Sequence, residues 1–140
     1  MDSNKEMLIE QCIDILHEKD QLCVLASVLD TGYPLASVNR PAGGIGIKQI
    51  YFILSNTSAI VTSFENNEKG SVTFYSGDNS VHLIGNVSIV STEKHCKDET
   101  DAHFLEDVEA DNVLLKFVAH ESHINIGEQY HVLAIEKGKS

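Results

Sequence analysis

The chain has 140 residues, enough for one domain with a real core, and 42% of them are hydrophobic. Its 10 Lys and Arg stand against 21 Asp and Glu, a net charge of −11, and Arg40 is the single arginine, so the clustered cations needed to hold nucleic acid are missing. No run approaches a membrane span and the N-terminus carries no basic-then-apolar signal, so a soluble, cytoplasmic protein is expected.

Cys12, Cys23 and Cys96 are odd in number and widely spaced. They form neither a disulfide framework nor a zinc motif, which leaves free thiols in a reducing compartment. The spacing of Leu8, Cys12, Ile15 and Leu16 predicts a helix over 3–18, opened by a capping box from Ser3 to Glu6. Leu22–Leu29 reads as a strand buried on both faces. Asp30-Thr31-Gly32 supplies turn chemistry, and Pro34 starts a second extended run, Leu35–Asn39, so the pair predicts a hairpin. Arg40–Lys48 is a Gly-rich loop that matches neither the dinucleotide nor the P-loop fingerprint; a mobile connection or a substrate lid is the expectation.

The central stretch runs from Gln49 to Gly77. An apolar strand, Ile50–Leu54, breaks on Ser55-Asn56-Thr57-Ser58; Ile60, Val61 and Phe64 then show helical spacing, and Ser71–Ser76 returns to strand. Thr57 or Ser58 is placed to cap the helix through its hydroxyl. Such a turn admits two readings. Free amides and the positive end of the helix dipole make it a phosphate cradle, or it is an ordinary capped helix between two strands.

Gly77–Ser80 is a turn, and Val81–Val90 is a long strand whose Gly85 predicts a bulge or barrel corner. Thr92–Asp107 reads as helical with a break near Asp98-Glu99, and the acidic stretch Lys94–Asp111 as a solvated face. Strands follow at Val113–Ala119, Ser122–Ile126 and Tyr130–Glu136. His82, His103, His120, His123 and His131 raise a metal or haem reading, but no HExxH or finger spacing occurs, so no metal site is expected. No G-x-S-x-G elbow is present, and Cys23 sits inside a strand, so no nucleophile is nominated and the catalytic residues are unknown. The inventory is mainly β with flanking helices, an antiparallel barrel of six to seven strands: helix over 1–20, barrel core over 21–91, helix and closing strands over 92–140.

Val24–Ser37 (VLASVLDTGYPLAS), Ile50–Ser58 (IYFILSNTS), the passage Asn67–Tyr75 and Val81–Val90 (VHLIGNVSIV), in this order, resemble the FMN-binding split barrel of the pyridoxamine 5′-phosphate oxidase-like superfamily. The style is that of its short, general-stress-protein-like members. The resemblance implies a homodimer with FMN at the interface. It places Ala36, Ser37, Val38 and Asn39 along the flavin, Ser55, Asn56, Thr57 and Ser58 on its phosphate, and Ser80, Val81 and His82 near its ring. It also implies hydride transfer to or from an unidentified small molecule.

One departure matters. The family's turn reads Ser-Arg-Lys or Ser-x-Lys, and here it is Ser58-Ala59-Ile60. A hydrogen bond to a charged group contributes about 1.5–3 kcal/mol, so its loss weakens FMN roughly tenfold to a hundredfold. Arg40 is the candidate substitute cation, since a guanidinium grips phosphate bidentately. The alternative expectation is a non-enzymatic split-barrel ligand-binding protein whose FMN affinity is weakened or lost.

Overall fold

Alternating burial along β1, β5 and β6 leaves one face of a single large sheet apolar, and the sheet curls to enclose that face, whereas β4 and the first part of β7 are buried on both faces. The computed structural model describes residues 3–135; the Ser3 side chain of the expected capping box and Glu136 of the expected last strand lie outside that description. The order is α1 (Ser3–Leu16), β1 (Cys23–Val28), β2 (Pro34–Asn39), β3 (Gly43–Ile45), β4 (Gln49–Ser55), α2 (Ala59–Asn66), β5 (Lys69–Ser76), β6 (Asn79–Val90), a 3-10 turn at Glu93–His95, α3 (Glu99–Leu105), β7 (Asn112–Ile126) and β8 (Gln129–Ala134). The strands pair antiparallel in the order β2-β1-β5-β6-β7-β4-β3, with β8 also on β7. The barrel is therefore split rather than closed.

The inner face carries Leu25, Ile50, Phe52, Val72, Phe74, Val81, Leu83, Leu115, Phe117 and Ile124, all fully buried. Cys12, Ile15 and Leu16 of α1 and Ile60, Val61 and Phe64 of α2 pack into the same core. Each such side chain contributes about 1.5–3 kcal/mol by leaving water. α1 ends at Leu16, where Gln21 Nε2 donates to the Ile15 carbonyl at 2.8 Å and satisfies a terminal acceptor. The hairpin at Asp30–Gly32 forms as expected, with Gly32 at φ +89° and Val28 opposite Pro34.

Four expectations need correction. β1 is buried on one face only: Cys23, Leu25 and Ser27 are covered, whereas Val24 faces out. The Gly-rich loop contains a strand, β3, hairpinned onto β4, and a Cβ on Gly44 would stand 2.4 Å from the Gln49 carbonyl oxygen. Gly43 and Gly44 thus permit close approach of Phe104 and of the β4 backbone, and Gly46 takes the positive φ of +55° that the turn into β4 requires. The two strands expected over Val113–Ile126 are one, β7, long enough to pair with β4 at one end and β8 at the other. The acidic stretch is not wholly solvated either, because Asp101 is completely buried.

That buried carboxylate fastens α3 to the outer face of the sheet. Asp98 caps the helix by accepting from Asp101 N at 2.9 Å. Asp101 accepts from Tyr51 Oη at 2.5 Å, from Lys97 N at 2.8 Å and from Lys116 Nζ, whose nearer distance is 2.9 Å. Burial opposes its ionisation, but those hydrogen bonds outweigh burial and hold the carboxyl below its ordinary range. Phe104 stacks on Tyr51 with ring centroids 4.5 Å apart, and its ring occupies the space where a Gly43 Cβ would stand. With Val90, Leu114, Leu105 and Val108 these residues form a second, smaller core.

The expected bulge at Gly85 is present, and it decides which side chains face out. Ile84 pairs with Glu121 and Gly85 with Ala119, which leaves His120 as the extra residue on β7. Before the bulge the odd-numbered Leu115, Phe117 and Ala119 point inward; after it the even-numbered Ser122 and Ile124 do. Glu121, His123 and Asn125 are thereby turned to the outer face. A Cβ on Gly85 would lie 2.0 Å from the Val118 carbonyl oxygen, so only glycine permits this approach.

Candidate functional site

The turn between β4 and α2 presents hydroxyls and amides with no cation. Ser55 Oγ and Thr57 Oγ1 lie 2.9 Å apart, and Thr57 N donates to Ser55 Oγ at 3.3 Å. Asn56 N is held by the Asp111 carbonyl at 3.0 Å, which ties the turn to the start of β7. Ser58 occupies the N-cap position with extended backbone, as the spacing predicts, but its hydroxyl makes no capping bond. The first-turn amides of α2 are thus left without the side-chain acceptor that usually satisfies them, and the helix dipole adds its positive end there. Ile60 is buried in the core while Ala59 is exposed. Of the two positions where the resemblance expects a cation, only Ala59 faces water.

The remaining nominated residues divide by strand parity. On β2, Ala36 and Val38 are exposed on the outer face, whereas Ser37 and Asn39 are half-buried and bonded to each other, Asn39 Nδ2 donating to Ser37 Oγ at 2.7 Å. On β6, Ser80 and His82 face outward, and Val81 points into the core, fully buried. The structure places Arg40 against Asp20 at 3.8 Å, where both side chains are largely exposed. An apolar groove of about 520 Å³ between α1 and the β3–β4 turn, walled by Ile9, Ile13, Ile45 and Ile47, contains none of the nominated residues.

Strand register brings Val38, Val24, Thr73, His82, His123 and Val132 into one row across five neighbouring pairings of the outer face. His82 lies between two hydroxyls, Thr73 Oγ1 and Ser80 Oγ, each 3.1 Å from a ring nitrogen. Its neighbour His123 has Glu121 Oε2 on one nitrogen and Tyr130 Oη on the other, both at 2.5 Å. Burial and His123 both lower the His82 pKa. The sequence did not point to Glu121, His123 or Tyr130 as partners of His82, because only the register and the bulge bring them together. Among the described residues no cluster of three or more His, Cys, Asp or Glu is arranged to hold a metal.

α3 packs on the outer face of β4 and the first part of β7, through Phe104 on Tyr51 and Asp101 on Lys116, and does not reach the outward side chains of β2, β1, β5, the start of β6, the end of β7 and β8. There Val38 is 63% exposed, Tyr75 62%, Tyr130 60% and Val132 50%, with Val24 and Ile84 beside them.

No protein-family model and no curated protein matches the sequence. Solved structures do. A Clostridium acetobutylicum protein related to general stress protein 26, of the pyridoxinephosphate oxidase family, is 17% identical with a TM-score of 0.72, over 94% of this chain and 96% of that one. General stress protein 26 of Bacillus anthracis is 16% identical with a TM-score of 0.68, over 91% and 98%. A heme binding protein of Mycobacterium smegmatis is 11% identical with a TM-score of 0.65; the match covers 90% of this chain and 57% of that one. No described helix is long and apolar enough to cross a membrane. The chain thus has the split-barrel fold of the general stress protein 26 and pyridoxamine 5′-phosphate oxidase-like proteins.

Proposed function

We propose that this chain is an FMN-binding oxidoreductase that works as a homodimer, with the flavin between the open sheet faces of two copies. The observation that carries the reading is the turn Ser55–Ser58, with its uncapped helix N-terminus and paired hydroxyls on a fold shared with pyridoxinephosphate oxidase-family proteins. Neutral donors of this kind suit a phosphate, though without the added grip of a cation. Ala36 and Val38 of β2 and Ser80 and His82 of β6 supply the contacts on the outer face. Ser37, Asn39 and Val81 contribute through backbone, since their side chains point elsewhere. Arg40 joins the site by leaving Asp20, an exposed pair that contributes little to stability.

Bound flavin supplies hydride exchange with a small molecule; the protein binds, orients and excludes water. The exposed apolar half-sheet supports the dimer, because a second copy would cover it. A competing function, non-enzymatic ligand binding, draws on Ala59 and Ile60, where the phosphate's cations are missing. The M. smegmatis neighbour suggests haem as one such ligand, and the two outward imidazoles, His82 and His123, are the residues to test for it.

The test is a fluorescence titration with FMN and with riboflavin, which lacks the phosphate. The cradle requires FMN to bind at least about tenfold more tightly, since one lost charged hydrogen bond amounts to about 1.5–3 kcal/mol. Equal affinities would remove the turn from the site. Arg40→Ala separates the arginine's part: unchanged FMN affinity would strike Arg40 from the contacts.

A further inference from the structure

The groove between α1 and the β3–β4 turn has the form of a small-molecule site, and no residue assigned to the flavin lines it. Its volume of about 520 Å³ lies within the roughly 300–1,000 Å³ typical of such pockets. α1 contributes Ile9 and Ile13, one turn apart on the same face, and the turn contributes Ile45 and Ile47. Ala134 at the end of β8 and the following Ile135 complete the apolar wall. Ile47 and Ile135 are buried while Ile45 is 43% exposed, so the groove has a covered side and an open apolar lip. The walls come close at Gly46, where an added Cβ would touch Ile13 Cδ1 at 3.7 Å. No aromatic ring lines the groove, which leaves it suited to a narrow alkyl chain.

The polar groups at its edge are Lys5, Glu6 and Lys48. Two ammonium groups against one carboxylate leave this edge positive on a chain whose net charge is −11. Among the described residues neither lysine pairs with a carboxylate. Residues 136–140, EKGKS, carry no apolar side chain to fill the groove. We propose that this groove binds an aliphatic monocarboxylate, with its alkyl chain along the isoleucines and its carboxylate at the lysine edge. Each methylene that leaves water contributes about fourfold in affinity. The flexible stem of a lysine lets its ammonium follow the head group while its own methylenes lie on the apolar wall. The site is separate from the flavin reading, so either can fail alone.

Methyl NMR of the isoleucines, titrated with decanoate below its micelle concentration, tests this on the full chain. The signals of Ile9, Ile13, Ile45 and Ile47 should shift and saturate, while that of Ile84 on the outer sheet face stays in place. Octanoate should bind about tenfold more weakly than decanoate. 1-Decanol and decyltrimethylammonium should bind at least about threefold more weakly, and Lys5→Ala combined with Lys48→Ala should abolish that preference. The cationic probe is the sharpest comparison, because the net charge of the chain favours it and only the lysine edge opposes it. Unmoved groove methyls under decanoate overturn the proposal, as does a double variant that keeps the preference. Equal or tighter binding of the alcohol or the cation also overturns it, since the edge then selects no carboxylate. Methyl shifts that follow protein concentration without any ligand would place a second copy in the groove and overturn it as well.

Discussion

Replacing Asp101 by Asn perturbs the account where its electrostatics are most exposed to test. The carboxylate is fully buried and is held by Tyr51, Lys97 N and Lys116, while Lys116 is itself nearly covered. Asparagine preserves one acceptor for Tyr51 but turns amide hydrogens toward Lys97 N–H or the Lys116 ammonium. Removing one partner of a buried ion pair costs about 3–5 kcal/mol, because the other charge is left without compensation. Asp98 stands 3.5 Å from Lys116 Nζ and is partly exposed, which recovers some of this and favours the lower end, about 3 kcal/mol. At about 2–4 °C per kcal/mol for a chain near this size, Tm should fall by about 6–12 °C. Thermal unfolding by circular dichroism reads the shift directly. Adding Lys116→Met to Asp101→Asn removes the orphaned charge and should regain at least about 1 kcal/mol. Because the folded pKa of Asp101 is depressed, its contribution is complete above the unfolded value near 3.9. The gap between wild type and variant should therefore hold from about pH 8 to pH 5 and close only as pH falls below about 4. A Tm change under about 2 °C, or a gap that closes near neutrality, would show that α3 does not seal this pair against the sheet.

Gly85→Ala should destabilise by about 3 kcal/mol or more in urea unfolding, since its Cβ would fall 2.0 Å from the Val118 carbonyl oxygen. Wild-type stability in that variant would mean the β6–β7 approach is looser than described. Ala59→Lys should tighten FMN about tenfold to a hundredfold in a fluorescence titration, by restoring a cation at the exposed position of the turn. Ile60→Lys should instead lower Tm, because Ile60 is buried among the core side chains; a stable protein with tighter FMN would reverse these assignments. Val38→Glu combined with Val132→Glu should convert a dimer to a monomer in light scattering without changing Tm by more than a few degrees, as both side chains are half or more exposed. Persistent dimerisation would move the interface elsewhere.

Much of this fold could be read from local pattern. The D-x-G-x-P turn forced a hairpin because Gly32 takes positive φ and Pro34 needs no donor. Gly85 announced its bulge, and the polar cluster Ser55–Ser58 announced the start of α2. Errors arose where tertiary partners decide. β3 is only three residues of Gly and Ile, too short and too glycine-rich for a periodic signal, and exists because β4 offers an edge. Asp101 looked like one more solvated acid in a carboxylate-rich stretch; its burial depends on Lys116, 15 residues later and on another strand. The candidate site was half visible for the same reason. The turn is contiguous in sequence and stood out, whereas the Glu121–His123–Tyr130 group beside His82 needs a register, and that register is reset by His120. Parity also sorts the nominated residues in a way no list of neighbours can: Val81 and His82 are adjacent in sequence and lie on opposite faces of the sheet.

The central claim is that the open sheet face and the Ser55–Ser58 turn hold FMN. Its most direct test is the visible absorbance spectrum of the purified protein, as isolated and again after addition of FMN and desalting. Flavin bands retained through desalting, with a protein-shifted band shape, are the predicted result. A protein that stays colourless after FMN, or that holds added haem with a Soret band in its place, would contradict the flavin assignment while leaving the split barrel intact.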